Sequence, residues 1–212
     1  MFPGLVRYKI VRMRTVPKRR LGVVLLLLIG LAVLPSYVWA FKLTGASAAP
    51  TIGIGGSFLV NRAAYSLRLP YSGVTLVRTG SPKRGDIVLF RHPSLPIIAP
   101  KRAIGLPGET VEFRENRVVV DGRVLPLRPL NRAEFDWVAP INHIGSNVYD
   151  EDGHWISFTP GEGEYRNHQP VRLGPHEYFL VGDNRDNSAD SRIWGPIAER
   201  QILGKLILIL HR

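Results

Sequence analysis

Three short segments hold the side chains that could do chemistry. The densest is Gly182-Asp-Asn-Arg-Asp-Asn-Ser-Ala-Asp-Ser-Arg-Ile-Trp-Gly195, which sets carboxylates, amides, hydroxyls and two arginines directly after the apolar stretch Tyr178 to Val181. Polar groups taken from water without partners cost about 1–3 kcal/mol each, so such a run is either a solvated loop or a satisfied network with a task. The other two segments are Ser47-Ala-Ala-Pro-Thr51 and Lys101-Arg-Ala-Ile-Gly-Leu-Pro-Gly108. A serine becomes a good nucleophile only with a base in hydrogen-bond reach, and the chain has no GxSxG elbow and nothing that pairs Ser47 with a particular histidine. Lysine can be that base when burial disfavours its ammonium form, lowering its pKa by up to about 3–5 for a fully buried amine. Lys101 is the best placed, following the apolar segment Pro96 to Pro100 and preceding a turn forced by glycine and proline. Taken alone, a strand lysine is ordinarily a solvated surface residue. The chain has no cysteine, and its six histidines are scattered without HExxH spacing, so neither a thiol nucleophile nor a metal site is expected.

The elements that must position these residues begin with targeting. The net charge of +11 would suit a nucleic-acid ligand, but seven of the 28 Lys and Arg fall in residues 1–20 with no acid among them. The remainder is only mildly basic and has no dense basic-aromatic stripe, so nucleic acid is not an expected partner. The basic tail runs into 21–41, which has no charged side chain and reads as a transmembrane helix long enough for a hydrocarbon core of ~30 Å. Lys18, Arg19 and Arg20 flank its start, which predicts a cytoplasmic N-terminus, Tyr37 and Trp39 as interfacial anchors, and export of 42–212. A cleaved secretory signal fits the same basic, apolar and small-residue order. Against it, the apolar span is longer than a usual signal core, and cutting near Ala49 would remove Ser47.

Beyond Ser57 the pattern is short apolar runs broken by Gly, Pro, Asn and Asp: Ser57 to Val60, Asp86 to Phe90, Thr110 to Phe113, Arg117 to Val120, Glu177 to Val181 and Lys205 to Leu210. These read as strands, and Asp121-Gly122 as a two-residue hairpin turn. The predicted class is mainly β: an antiparallel catalytic core preceded by one transmembrane helix. At about 126–171 the texture changes to prolines, glycines and aromatics, including Phe135, Trp137, Tyr149 and Trp155, which reads as a small β-rich cap inserted into the core.

Together with Gly85-Asp-Ile-Val-Leu-Phe90, the three segments resemble the bacterial type I signal peptidase family, over the apolar span, most of 43–124, and 173–210. The resemblance implies a serine endopeptidase of the bacterial cytoplasmic membrane, without cofactor, that removes signal peptides from exported preproteins on the outer side. It makes Ser47 the nucleophile and Lys101 its general base, with Ser188 orienting the amine and Asp190 and Arg192 forming a salt bridge. Arg102 and Asp183 are a further possible charge pair. Leu43, Ala48, Ile52, Ala99 and Pro100 match positions lining the substrate cleft. Three departures stand out: alanine at 48 where methionine is usual, alanine at 99 where an aromatic is frequent, and Gly45 where some members carry an oxyanion-binding serine. The two alanines predict a roomier cleft that accepts a larger residue before the cut, and Gly45 leaves the Ser47 N–H, or Thr44, as oxyanion donor. A dedicated maturation peptidase for a pilin or conjugation protein, or a silent β-domain that retains the motifs, also fits; oligomeric state is not legible.

Overall fold

In the core, short β-branched and aromatic runs become strands because they bury one or both faces against their neighbours. The structure, a computed structural model, describes residues 18–72, 74–131, 134, 147–161 and 163–211. Arg7, Lys9, Arg12 and Arg14 of the basic tail, and Phe135 and Trp137 of the cap, lie outside them. The chain divides into two units, Met1–Pro35 and Ser36–Arg212.

In the first unit, helix α1 spans Lys18–Val33. Consecutive residues Val23 to Ile29 are each about half exposed or more, so its described apolar surface runs round the whole helix. No described helix is long and apolar enough to cross a membrane. The predicted helix over 21–41 is shortened at its C-terminal end: a 3-10 turn covers Leu34–Ser36 and strand β1 covers Val38–Lys42. Pro35 explains the break, because the residue before a proline is pushed away from helical geometry. Trp39 and Phe41 then pack against the core, Phe41 stacking on Phe58 at 5.8 Å, while the Tyr37 hydroxyl donates to the Arg68 carbonyl at 2.6 Å. Tyr37 and Trp39, predicted as membrane anchors, therefore have partners within the second unit.

That unit holds β2 (Ser57–Asn61), β3 (Ser66–Arg68), β4 (Thr75–Arg78), β5 (Ile87–Arg91), β6 (Ile98–Gly105), β7 (Thr110–Arg114), β8 (Arg117–Val120) and β9 (Arg123–Val124). It continues with β10 (Leu127–Pro129), β11 (Asn147–Glu151), β12 (His154–Phe158), β13 (His168–Arg172), β14 (Glu177–Val181), helix α2 (Ser191–Trp194), β15 (Ile197–Ala198) and β16 (Ile202–His211). The main sheet is seven-stranded, in the order β1-β2-β16-β5-β6-β14-β15, with antiparallel neighbours throughout. A second sheet runs β13-β7-β8-β9, and Asp121 and Gly122 turn its hairpin with positive φ of 47° and 79°, as the two-residue turn requires. All six predicted strands are present within a few residues of their expected bounds.

Within the stretch read as a cap, β10, β11 and β12 form a separate three-stranded sheet. Its predicted C-terminal limit at 171 is too late, because β13 pairs with β7 instead. Alternation explains why the strands beside the site read as continuous apolar runs. In β14, Tyr178 and Leu180 enter one apolar cluster and Phe179 and Val181 another. In β5, Val88 and Phe90 join the first while Leu89 packs with Leu43, Ala48, Ile52, Phe58 and Val60 in a third. Both faces of these strands are buried.

Candidate active site

Strand register brings the three polar segments together. Val181, the last residue of β14, pairs with Arg102 of β6, so the chain leaving β14 as the Gly182 to Asp190 loop starts beside Lys101. The serine segment arrives from β1. Leu43 and Ile52 are buried in the core, Gly55 N–H donates to the Leu43 carbonyl at 2.8 Å, and Ile52 N–H closes on the Ala48 carbonyl at 2.9 Å, so Ser47 sits on an anchored turn. Asn184 N–H donates to the Ser47 carbonyl at 3.1 Å. Ser47, Ala48, Ile87, Pro100, Lys101 and Gly182 line one narrow crevice.

The amine of Lys101 is buried, with 5% of the residue exposed, and donates to Ser188 Oγ at 2.7 Å. Ser188 in turn donates to Asp190 Oδ2 at 2.7 Å. Asp190 is fully buried and receives Arg192 in a fork, Nε to Oδ1 and Nη2 to Oδ2, both at 2.8 Å, with the Gly182 N–H adding a bond at 3.0 Å. Burial opposes the charge on Asp190, but the hydrogen bonds and charge of Arg192, the charge of Lys101 and the Gly182 N–H hold its pKa below the usual value. For Lys101 burial dominates. It pushes the amine down from 10.5 to about 8, with Arg192 acting in the same direction and Asp190 and Asp183 opposing. A side chain with one proton to give, accepting from Lys101 and donating to Asp190, has its hydrogen-bond direction set by both neighbours.

A second buried fork joins β6 to the loop: Arg102 Nε and Nη2 reach Asp183 Oδ1 and Oδ2 at 2.7 and 2.6 Å, and Arg102 Nη1 caps the Gly85 carbonyl at 2.6 Å. Thr51 Oγ1 donates to Asp183 Oδ2 at 2.5 Å, tying the serine segment to the same carboxylate. The expected contacts Lys101–Ser188, Asp190–Arg192 and Arg102–Asp183 are thus all present, and Leu43, Ala48 and Ile52 share one cluster.

Ala99 departs from the expectation. It packs against the cluster of Val88, Phe90 and Leu180, whereas Ala48 lies with Leu89, and Ala99 is not among the crevice walls. The two small residues therefore do not merge into one enlarged pocket. Parity along β6 is the reason, because Ala99 and Pro100 pair with Phe90 and Leu89, which point to opposite faces of β5.

Two features of the site had no separate signal in the sequence. Gly182 is crowded: a Cβ there would lie 2.2 Å from Ser188 Oγ and 2.6 Å from the Ser47 carbonyl oxygen. Glu151 of the cap makes a bidentate ion pair with Arg185 of the loop, and both side chains are 1% exposed. Standing in the run Asp150-Glu-Asp-Gly153, Glu151 reads as one turn acid among three; only its pairing distinguishes it.

The family described as "Signal peptidase, peptidase S26" matches residues 18–211. The chain belongs to this family. A signal peptidase I of Pseudomonas aeruginosa is 32% identical over 186 residues, covering 80% of this chain and 63% of that protein. Signal peptidase I V of Bacillus subtilis is 30% identical over 164 residues, covering 77% of this chain and 80% of that one. The chain thus spans a little under two thirds of the Pseudomonas relative's length. Among solved structures, a signal peptidase I from Enterococcus faecalis V583 matches 60% of this S26 chain and 97% of its own, at 28% identity and a TM-score of 0.39.

Proposed function

We propose that this S26 peptidase is a membrane-anchored serine endopeptidase that removes N-terminal signal peptides from exported preproteins, with Ser47 as nucleophile and Lys101 as general base. The observation that carries this reading is the buried Lys101 amine, held by Ser188 in the crevice that Ser47 lines. Neutral Lys101 spends an N–H on Ser188 and keeps its lone pair for the serine proton. Ser47 Oγ attacks the scissile carbonyl as Lys101 takes that proton, and the ammonium returns it to the departing amine. Water, activated by the same lysine, then releases the acyl group. The developing oxyanion needs a donor, for which the Ser47 N–H serves, a contact worth about 3–4 kcal/mol in such sites.

The anchor is read from α1. Supporting it are the leucine and valine side chains exposed on every side of this helix, a surface suited to contact with lipid. With Lys18, Arg19 and Arg20 at its start, the orientation keeps the N-terminus in the cytoplasm and the catalytic unit outside the bacterial cytoplasmic membrane.

Cleavage of a purified preprotein by the detergent-solubilised full chain tests the reading. The wild type releases the mature protein, and Ser47→Ala loses about 10⁴-fold or more while remaining folded. Only the neutral amine accepts a proton, so kcat/KM climbs with pH through about 8 and then levels. A serine variant that still cuts, or a rate flat between pH 6 and 9, defeats the assignment.

A further inference from the structure

The three-stranded sheet read as a cap is tied to the polar loop. Its strand β12 is joined to the loop leaving β14 by backbone bonds, Ser157 N–H to the Asp183 carbonyl at 2.8 Å and Arg185 N–H to the Ser157 carbonyl at 2.9 Å. Thr159 N–H adds a bond to Asp186 Oδ2 at 2.6 Å. From β11, Glu151 forks onto Arg185, whose Nε reaches the Gly182 carbonyl at 3.2 Å and whose own carbonyl accepts from Arg192 Nη2 at 2.8 Å. Arg192 is the guanidinium that holds Asp190, and Asp190 holds Ser188. An unbroken line of buried contacts thus runs from the cap to the Lys101 amine.

The line matters because it carries two buried cations. Arg185 and Arg192 are both buried and lie over the Phe113 ring, at 5.6 and 5.5 Å from its centroid. Two desolvated cations this close need two anions, and Asp190 serves Arg192 while Glu151 serves Arg185. Besides Glu151, the carboxylates whose charge acts on Arg185 are Asp183 and Asp190, both already engaged in holding the site. We propose that the cap is a positioning element of the catalytic loop and that Glu151 is its positioning residue, setting the Asp190–Ser188–Lys101 chain through Arg185 and Arg192. The proposal rests on the serine-lysine reading of the site.

The groups facing Lys101 are Asp183 and Asp190 from the loop and Arg192 from α2, with Ser188 on its amine; Arg102, its neighbour in β6, is turned onto Asp183. Facing Glu151 are Arg185 and, within the cap, His154 with Nε2 at 3.5 Å. Removing the Glu151 charge leaves Arg185 as an unbalanced cation and draws Asp190 away from Ser188, and both effects disfavour the ammonium of Lys101. Glu151→Gln therefore moves the Lys101 titration to lower pH by about half a pH unit. Arg185→Gln, which leaves an unbalanced anion, moves it the other way. The double variant returns it toward wild type. A side chain that merely stabilises the fold cannot produce opposite signs.

The experiment is an NMR titration of ¹⁵N-lysine-labelled full chain in detergent, with the Lys101 signal assigned by its absence in Lys101→Ala, run beside kcat and KM on a preprotein. Expected for Glu151→Gln are the downward displacement and, on the alkaline plateau where Lys101 is neutral in both proteins, a fall in kcat of about 10-fold with KM changed less than about twofold, because Ser188 no longer orients the amine. If one single variant does not fold, the other single with the double still decides the sign. Displacements absent, or of equal sign in both singles, overturn the proposal, as does a lowered Tm with unchanged titration. The titration needs no turnover: a wild type that cuts nothing while Lys101 still moves sinks the peptidase reading and keeps the coupling. A wild type that cuts while Lys101 stays put does the reverse.

Discussion

Lys101→Met abolishes preprotein cleavage and, near neutral pH, makes the protein more stable. The loss of activity follows from the proposed role of the amine. Methionine has no lone pair of sufficient basicity, so Ser47 keeps its proton and the rate falls by about 10⁴-fold or more. The gain in stability follows from burial. In the folded chain Lys101 titrates at about 8 against an ordinary 10.5, so below pH 8 the fold must hold a desolvated ammonium that the unfolded chain leaves in water. Between pH 8 and 10.5 the unfolded chain binds the extra proton, and stability attributable to this group rises with pH; above 10.5 both states are neutral and the penalty has gone. The full penalty is about 3 kcal/mol at 1.36 kcal/mol per pKa unit.

Methionine carries no such cost and fills similar space, though it forfeits the hydrogen bond to Ser188, worth about 1 kcal/mol. The net expectation is a variant about 2 kcal/mol more stable than wild type at pH 7. That advantage shrinks as pH rises from 8 to 10.5. Urea unfolding of both proteins at pH 7 and pH 10 measures it, since other titrating groups are shared and cancel in the difference. A variant that is less stable at pH 7, or an advantage that grows with pH, shows that the amine is not held against its own desolvation. The site then represents stability given up for a base that is half neutral near pH 8, a trade common where a fold must keep a reactive group unprotonated.

How far the sequence carries this picture depends on the range of each interaction. The Val118 to Val120 run and the Asp121-Gly122 turn are local, and they form as read. That Ser47, Lys101, Ser188, Asp190 and Arg192 come together was legible because they lie in three dense segments, which the sheet register brings side by side. The end of α1 was misplaced because Val38 to Phe41 is apolar in either setting; pairing with Ser57–Asn61 decides for a strand, and that partner is distant in sequence. Ala48 and Ala99 looked like two walls of one cleft because parity across β5 and β6 is invisible until the pairing of Phe90 with Ala99 is known. Glu151 was hidden for the same kind of reason: its value lies in a guanidinium 34 residues away.

Gly182→Ala is the second large effect, and it separates crowding at the site from crowding elsewhere. Gly182 has no positive φ, so its requirement is space and not backbone freedom. An added methyl meets Ser188 Oγ at 2.2 Å, Ser188 Cβ at 2.6 Å and the Ser47 carbonyl at 2.6 Å, all closer than a real Cβ contact permits. Neither neighbour can yield without consequence. Ser188 is held between Lys101 and Asp190, and the Ser47 carbonyl is held by the Asn184 N–H. Relief of the clash moves Ser47, the proposed nucleophile, away from Lys101 or takes Ser188 off the amine, and misplacement by an ångström costs on the order of 100-fold or more in rate. Overpacking also destabilises the protein by about 1–3 kcal/mol.

Gly105→Ala supplies the control, because a Cβ there meets Val111 at 2.4 Å, Leu173 at 2.7 Å and Phe179 at 2.9 Å, within the apolar cluster between β6 and β7. Both variants lower the urea midpoint. Activity per folded molecule at low urea drops about 100-fold or more for Gly182→Ala and stays within about threefold of wild type for Gly105→Ala. Equal losses in the two would mean that general overpacking, and not the close approach of Ser47 and Ser188 across Gly182, is what the peptidase cannot tolerate.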